Sequence, residues 1–127
     1  MKKYFLLMVM VCGVMISSCS SQSRSSLKPQ DFSEKIKADS VLILDVRTPG
    51  EYSKGHIKNS MLIDYLDDSF AERVSKLDKN KTVYVYCHSG GRSSEAQQEM
   101  QKQGFRNVIN LEGGITAWEK AGLPVEK

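Results

Sequence analysis

Apolar positions along the chain fall into two alternating patterns. Continuous β-branched or aliphatic runs, Val41-Leu42-Ile43-Leu44 and Val83-Tyr84-Val85-Tyr86, predict strands covered on both faces, as in a parallel sheet. Met61-Leu62-Ile63 and Asn107-Val108-Ile109-Asn110-Leu111 predict two more strands. Between these runs the spacing changes to three and four. Phe32 and Ile36 lie one turn apart in residues 29–37, with Pro29 suited to a helix start. Phe70, Val74 and Leu77 mark one stripe in residues 68–77. Residues 94–103 are rich in helix formers and end before Gly104, a C′ residue, and residues 115–120 with Trp118 form a last helix stopped by Gly122 and Pro124. Thr48-Pro49-Gly50-Glu51-Tyr52 reads as a turn with one helical turn, and Lys79-Asn80-Lys81 as another turn. Strands alternating with helices predict a three-layer α/β domain with a mainly parallel sheet, whose sites lie at the carboxyl ends of strands.

Cys87 stands at such an end, followed by His88-Ser89-Gly90-Gly91-Arg92-Ser93 and then the helix. A lone cysteine after an apolar strand is usually an inert buried residue. Here Gly-Gly-Arg-Ser before a helix has no evident packing purpose, so a nucleophile is the favoured reading. Unpaired N–H groups at a helix start and in a loop nest favour an anion, and so favour the thiolate. Gly90 and Gly91 allow successive amides to converge, and Arg92 adds a permanent charge beside them. Ser89 and Ser93 offer hydroxyl donors, although Ser93 also suits a helix cap, and Ser94 with Gln97 fits a capping box.

The first segment is of another kind. Lys2-Lys3 precedes a 13-residue apolar run, Tyr4 to Ile16, and small residues before Cys19, the plan of an export signal. Thirteen apolar residues are too few for a stable membrane span. Ile16-Ser17-Ser18-Cys19 resembles a bacterial lipobox, which implies removal of residues 1–18, a diacylglyceryl group on the Cys19 sulfur, and a lipid-anchored protein of the cell envelope facing the periplasm. A plain secretory peptide is the alternative. Residues 19–26, with five serines from Ser20 to Ser26, read as a flexible tether, leaving residues 27–127 as the folded domain.

Processing also removes Cys12 and two lysines, which leaves 16 basic against 15 acidic residues and no case for a nucleic-acid partner. With Cys19 thioether-linked, Cys87 is the single free thiol, so an internal disulfide and a Cys-x-x-Cys exchanger are excluded. Two histidines and one thiol argue against a structural zinc site; no metal or cofactor is expected, and a monomer is.

Three separated segments together are similar to the rhodanese family of sulfurtransferases: Leu44-Asp45-Val46-Arg47 with Glu51-Tyr52 and Gly55-His56-Ile57; the Cys87–Ser93 loop; and Gly113-Gly114-Ile115-Thr116-Ala117-Trp118 with Gly122-Leu123-Pro124. The resemblance implies a sulfur relay in which Cys87 takes sulfur from a donor such as thiosulfate, holds it as a persulfide, and passes it to a thiol or cyanide. His88, Ser89, Gly90, Gly91, Arg92 and Ser93 would bind the donor. His88 is equally consistent with an exposed loop residue of no catalytic duty. Asp45, Arg47 and Glu51 are read as an ion-pair set that fixes the loop, His56 as a turn-steadying residue and Trp118 as core. Two alternatives stay open. One is a sulfur carrier without small-molecule turnover. The other is a phosphatase or arsenate reductase, whose related loops place five residues between Cys and Arg; here four intervene.

Overall fold

The computed structural model describes residues 25–127. The expected signal segment, Cys19 and the tether as far as Arg24 lie outside the described residues. The strands are β1 (Ser26–Leu27), β2 (Leu42–Asp45), β3 (Met61–Leu62), β4 (Val83–Tyr86) and β5 (Val108–Leu111). Interleaved with them are helices α1 (Pro29–Lys35), α2 (Pro49–Lys54), α3 (Phe70–Ser75), α4 (Gly91–Lys102) and α5 (Gly114–Lys120). The strands form one five-stranded sheet in the order β1-β5-β4-β2-β3, with every pairing parallel.

Strand alternation explains the layers. Val83, Val85 and Cys87 face the cluster containing Phe70 and Val74 of α3 with Ala96 and Met100 of α4, whereas Tyr84 and Tyr86 join Phe32 of α1 with Ile115 and Trp118 of α5. Both faces of β4 are therefore covered, and all four of its residues are buried. Each large side chain so enclosed contributes about 1.5–3 kcal/mol of burial. Phe32 anchors α1 by meeting the Tyr84 ring edge-on at 5.4 Å and the Trp118 ring at 6.2 Å. The Trp118 indole N–H donates to the Pro124 carbonyl at 2.9 Å, which satisfies the one polar atom of that core residue.

Several boundaries differ from the sequence expectation. The helix expected over residues 68–77 is confined to Phe70–Ser75, because Asp67 closes a turn onto the Ser69 amide and hydroxyl and Leu77 turns back onto the Val74 carbonyl. Helix α4 starts earlier than expected, at Gly91, with Gly90 as its N-cap in a left-handed conformation (φ +111). The expected Ser94–Gln97 capping box does not form. Gln97 instead reaches the carbonyls of Ser25 and Val108 at 2.8 and 2.7 Å, since a buried amide must find acceptors wherever packing places them.

The tether also ends sooner than its serines suggested. Ser26 and Leu27 pair with Asn110 and Leu111, the Ser25 carbonyl accepts from the Asn110 amide at 3.0 Å, and the Leu27 carbonyl from the Glu112 amide at 2.9 Å. The side chains of Ser25 and Ser26 stay exposed. A strand held by main-chain bonds needs no apolar side chain to announce it.

Candidate active site

The site is built on two crossings of the sheet. At the first, Tyr86 ends β4 and the chain passes through Cys87 into a loop that becomes α4. Gly90 adopts φ +111, a conformation that other residues rarely enter, and this directs its amide back to the Cys87 sulfur at 3.0 Å. One turn later the Ser93 hydroxyl, fully buried, lies 3.2 Å from the same sulfur and 3.2 Å from the Gly90 carbonyl. Two donors thus converge on Sγ. Among the described residues the amides of His88, Ser89, Gly91 and Arg92 have no hydrogen-bond acceptor, so the loop holds further donors in reserve. Cys87 itself is only 1% exposed.

At the second crossing β5 runs into Gly113-Gly114 and α5, and this turn closes on the first. The Ile115 amide donates to the Cys87 carbonyl at 2.9 Å, and the amide and hydroxyl of Thr116 donate to the His88 carbonyl at 3.1 and 2.9 Å. Such contact demands glycine. A Cβ on Gly114, at φ +63, would collide with the His88 carbonyl and stand 2.6 Å from the Cys87 carbonyl oxygen. Gly114→Ala is expected to cost about 2 kcal/mol or more and to change the reactivity of Cys87, read as a lowered urea midpoint together with an altered rate of Cys87 alkylation by a small thiol reagent. Gly91→Ala, where nothing lies within 4 Å and φ is ordinary, should leave the midpoint close to wild type. An unchanged midpoint in Gly114→Ala would show that the two turns are not locked together.

The supporting residues form two ion pairs, joined where Arg47 Nη1 donates to the Glu51 carbonyl at 3.4 Å. Asp45 and Arg47 form a buried pair: the Arg47 Nη2 lies 2.7 Å from Asp45 Oδ2, its Nε 3.0 and 3.1 Å from the two carboxylate oxygens, and its Nη2 also donates to the Gly55 carbonyl at 2.7 Å. The Arg47 guanidinium sits 5.7 Å from the Tyr86 ring centre. Burial, first, and the nearby Asp45 push the Tyr86 phenol well above its usual range, so it stays protonated, donating to Ser60 Oγ and accepting from the Ile57 amide, both at 3.0 Å. This set ties the end of β2 to the end of β4.

Glu51 belongs elsewhere. It is the third residue of α2 in a capping box with Thr48, and it grips Arg92 at 2.8 and 2.9 Å through both outer guanidinium nitrogens. The hydrogen bonds from Arg92 hold the Glu51 carboxyl down to about 2, so it remains ionised. Arg92, read from the sequence as a charge that meets the anionic donor, is paired with Glu51 across 41 residues of sequence.

Of the remaining marked residues, His88 and Ser89 are exposed, and the His88 ring approaches Thr116 Oγ1 at 3.5 Å. His56 stacks on Tyr52 at 3.8 Å, places Nδ1 3.0 Å from the Tyr52 carbonyl, and pairs its backbone with Glu126. Ser93 does not cap α4; its hydroxyl lies within reach of both the sulfur and the Gly90 carbonyl and donates its single proton to one of them at a time. Removing it in Ser93→Ala is expected to slow reaction at the Cys87 sulfur roughly tenfold or more while stability moves by about 1 kcal/mol, measured by timed intact mass with a small thiol reagent and thermal unfolding. A rate equal to wild type would exclude the hydroxyl from activating the sulfur.

The Rhodanese-like domain family matches residues 28–121, most of the chain, and spans both crossings. The chain belongs to this family. Its rhodanese-like domain is 38% identical over 87 residues to the Sulfurtransferase of Allochromatium vinosum, covering 68% of this chain and 79% of that protein. It is 38% identical over 103 residues to the Putative sulfur carrier protein YrkF of Bacillus subtilis, covering 80% of this chain and 55% of that one, so it spans about half of that relative's length. The crystal structure of a rhodanese-related protein from Thermoplasma volcanium superposes with a TM-score of 0.72 at 34% identity, covering 80% of this chain and 97% of that chain.

Two residues of the rhodanese-like domain escaped the sequence reading. Asn110 on β5 is 8% exposed and directs Nδ2 to the Gly90 carbonyl at 3.4 Å, steadying the N-cap; nothing in the one-dimensional pattern separates it from the other strand residues. Gly114 entered only within the Gly113–Trp118 segment, with no contact expected of it, although a Gly-Gly pair before a short helix is the signal of close backbone approach. A cavity of about 570 Å³ lies on the α1–α5 side, lined by Ile36, Val41, Ile43, Ile57 and Trp118 among others, and none of the loop residues borders it. Among the described residues no helix is long and apolar enough to cross a membrane, and no group of three or more His, Cys, Asp or Glu is placed to hold a metal.

Proposed function

We propose that the protein is a sulfurtransferase that moves sulfane sulfur from a donor such as thiosulfate to a thiol or cyanide acceptor through a persulfide on Cys87. The observation that carries this reading is the convergence of the Gly90 amide and the Ser93 hydroxyl on the Cys87 sulfur. The Cys87 thiolate attacks the outer sulfur of thiosulfate; a sulfur–sulfur bond forms as the donor's own breaks, and sulfite leaves with the electron pair. The same donors, with the free loop amides, stabilise the negative charge of the persulfide. An acceptor thiolate then attacks the outer sulfur and releases the Cys87 thiolate, which gives ping-pong kinetics. Near-complete burial of Cys87 suits a cargo of one atom and hinders bulky electrophiles. Relatives bearing the sulfurtransferase name support the same direction.

Phosphate chemistry is disfavoured by the four-residue spacing and by the engagement of Arg92 with Glu51, which occupies the cation that would clamp a phosphoryl group. The carrier reading is favoured by one relative's printed name, and it differs only in requiring a protein partner at one of the two steps. Thiosulfate with cyanide, run beside a phosphatase substrate, is the deciding assay. Thiocyanate formation is expected. Turnover of the phosphate ester alone would reverse the assignment, and one labile sulfur per chain without turnover would favour the carrier.

We also propose that the domain is lipid-anchored in the bacterial envelope through Cys19 and faces the periplasm. The basic pair, the 13-residue apolar run and Ile16-Ser17-Ser18-Cys19 support this. Membrane-fraction protein should carry the diacylglyceryl mass, and Cys19→Ala should lose both the lipid and the membrane association.

A further inference from the structure

The Glu51–Arg92 pair bears on which sulfur donors reach Cys87. Arg92 lies in the first turn of α4, the helix that the Cys87 loop leads into, and its hydrogen bond to Glu51 is the main cause that raises its pKa. Both of its outer nitrogens are held by Glu51 at 2.8 and 2.9 Å. Glu51 is not free to swing aside, because its Oε1 also accepts from the Thr48 hydroxyl at 3.2 Å and its own amide donates to Thr48 Oγ1 at 3.3 Å. The pair is only partly exposed, with side chains 24% and 30% accessible, so bulk water screens it incompletely. Arg92 is balanced by Glu51.

Resting on the sulfur-transfer reading above, we propose that Glu51 is a specificity-determining residue: by clamping Arg92 it withholds the one cation of the loop and lowers the rate of loading from dianionic donors such as thiosulfate relative to organic persulfides of low net charge, without closing the site to either. The donor step is the same in both cases. Cys87 attacks the terminal sulfur, the donor's sulfur–sulfur bond breaks, and either sulfite or an organic thiolate departs with the electron pair. Only the charge of the incoming donor differs, and the clamp acts on that charge. Hydrogen bonds from Arg92 keep Glu51 ionised far below neutrality, so the clamp does not open with ordinary changes of pH.

The test compares two donors in single turnover, with no acceptor present. Thiosulfate is the dianion, and cysteamine persulfide, whose ammonium offsets its persulfide charge, is the donor of low net charge. The quantity read is the ratio of second-order rate constants for adding one sulfur to Cys87, followed by intact mass. Glu51→Gln, which can still serve the capping box, is expected to raise the thiosulfate-to-persulfide ratio about tenfold. Arg92→Met, which leaves Glu51 unopposed, should lower the ratio, and the double variant should return it to within about threefold of wild type. A ratio unmoved by Glu51→Gln, or lowered by both single substitutions, overturns the clamp while loading itself stands. Absence of loading from either donor in the wild type overturns the sulfur-transfer reading, and the clamp with it.

Discussion

Cys87→Ser is expected to lower sulfur transfer by roughly three orders of magnitude or more while the domain stays folded. The loss is chemical. A serine hydroxyl can accept from the Gly90 amide and the Ser93 hydroxyl as the sulfur does at 3.0 and 3.2 Å, so the loop keeps its shape. It cannot form the sulfur–sulfur bond on which the proposed relay depends. Cys87 also packs with Val85, Ala96 and the rest of the α3–α4 cluster, where a small polar replacement is expected to change stability by about 1 kcal/mol. The check is sulfite release from thiosulfate beside a thermal melt. Release at the wild-type rate would remove Cys87 as nucleophile, and an unfolded variant would make it a core residue first.

Asp45→Ala is expected to act on stability, with a loss of about 3–5 kcal/mol and a fall in Tm of roughly 15–30 °C. Asp45 is fully buried and supplies both carboxylate oxygens to Arg47, which is 4% exposed. Without it the guanidinium keeps the Gly55 carbonyl at 2.7 Å and the Glu51 carbonyl at 3.4 Å but has no countercharge. The Arg47 amide loses its partner at 2.9 Å as well. Breaking such a pair by removing one member costs more than the pair contributes net, because the survivor stays desolvated. Sulfur loading per folded molecule should fall less than stability does. A variant with a wild-type melting curve and no turnover would move Asp45 into the chemistry.

The core strands were legible because burial on both faces leaves a mark that composition preserves: Val41 to Leu44 and Val83 to Tyr86 are continuous apolar runs, and the structure places β2 and β4 side by side at the centre of the sheet. Cys87 could be located for the same reason, since it follows the strand whose end it occupies. Pairings distant in sequence were not legible. Glu51 reaches Arg92 across 41 residues, and neither residue type specifies a partner until β2 and β4 are known to be neighbours. Asn110 and Gln97 read as ordinary polar residues of a strand and a helix, yet their amides bind the carbonyls of Gly90, Ser25 and Val108 inside the fold. Strand β1 was hidden in a serine-rich stretch because its bonds are made by main chain alone. Local patterns therefore announced the central strands, most helices and the position of Cys87, while the residues that orient the loop emerged only from tertiary contact.

The central claim is that the sulfur of Cys87 accepts one additional sulfur atom and releases it again. Its most direct measurement is the intact mass of the protein before thiosulfate, after thiosulfate, and after subsequent cyanide. The expected record is a gain of the mass of one sulfur atom, located to the peptide carrying Cys87, and its complete loss on cyanide treatment. No gain, or a gain that persists in Cys87→Ser, would contradict the account.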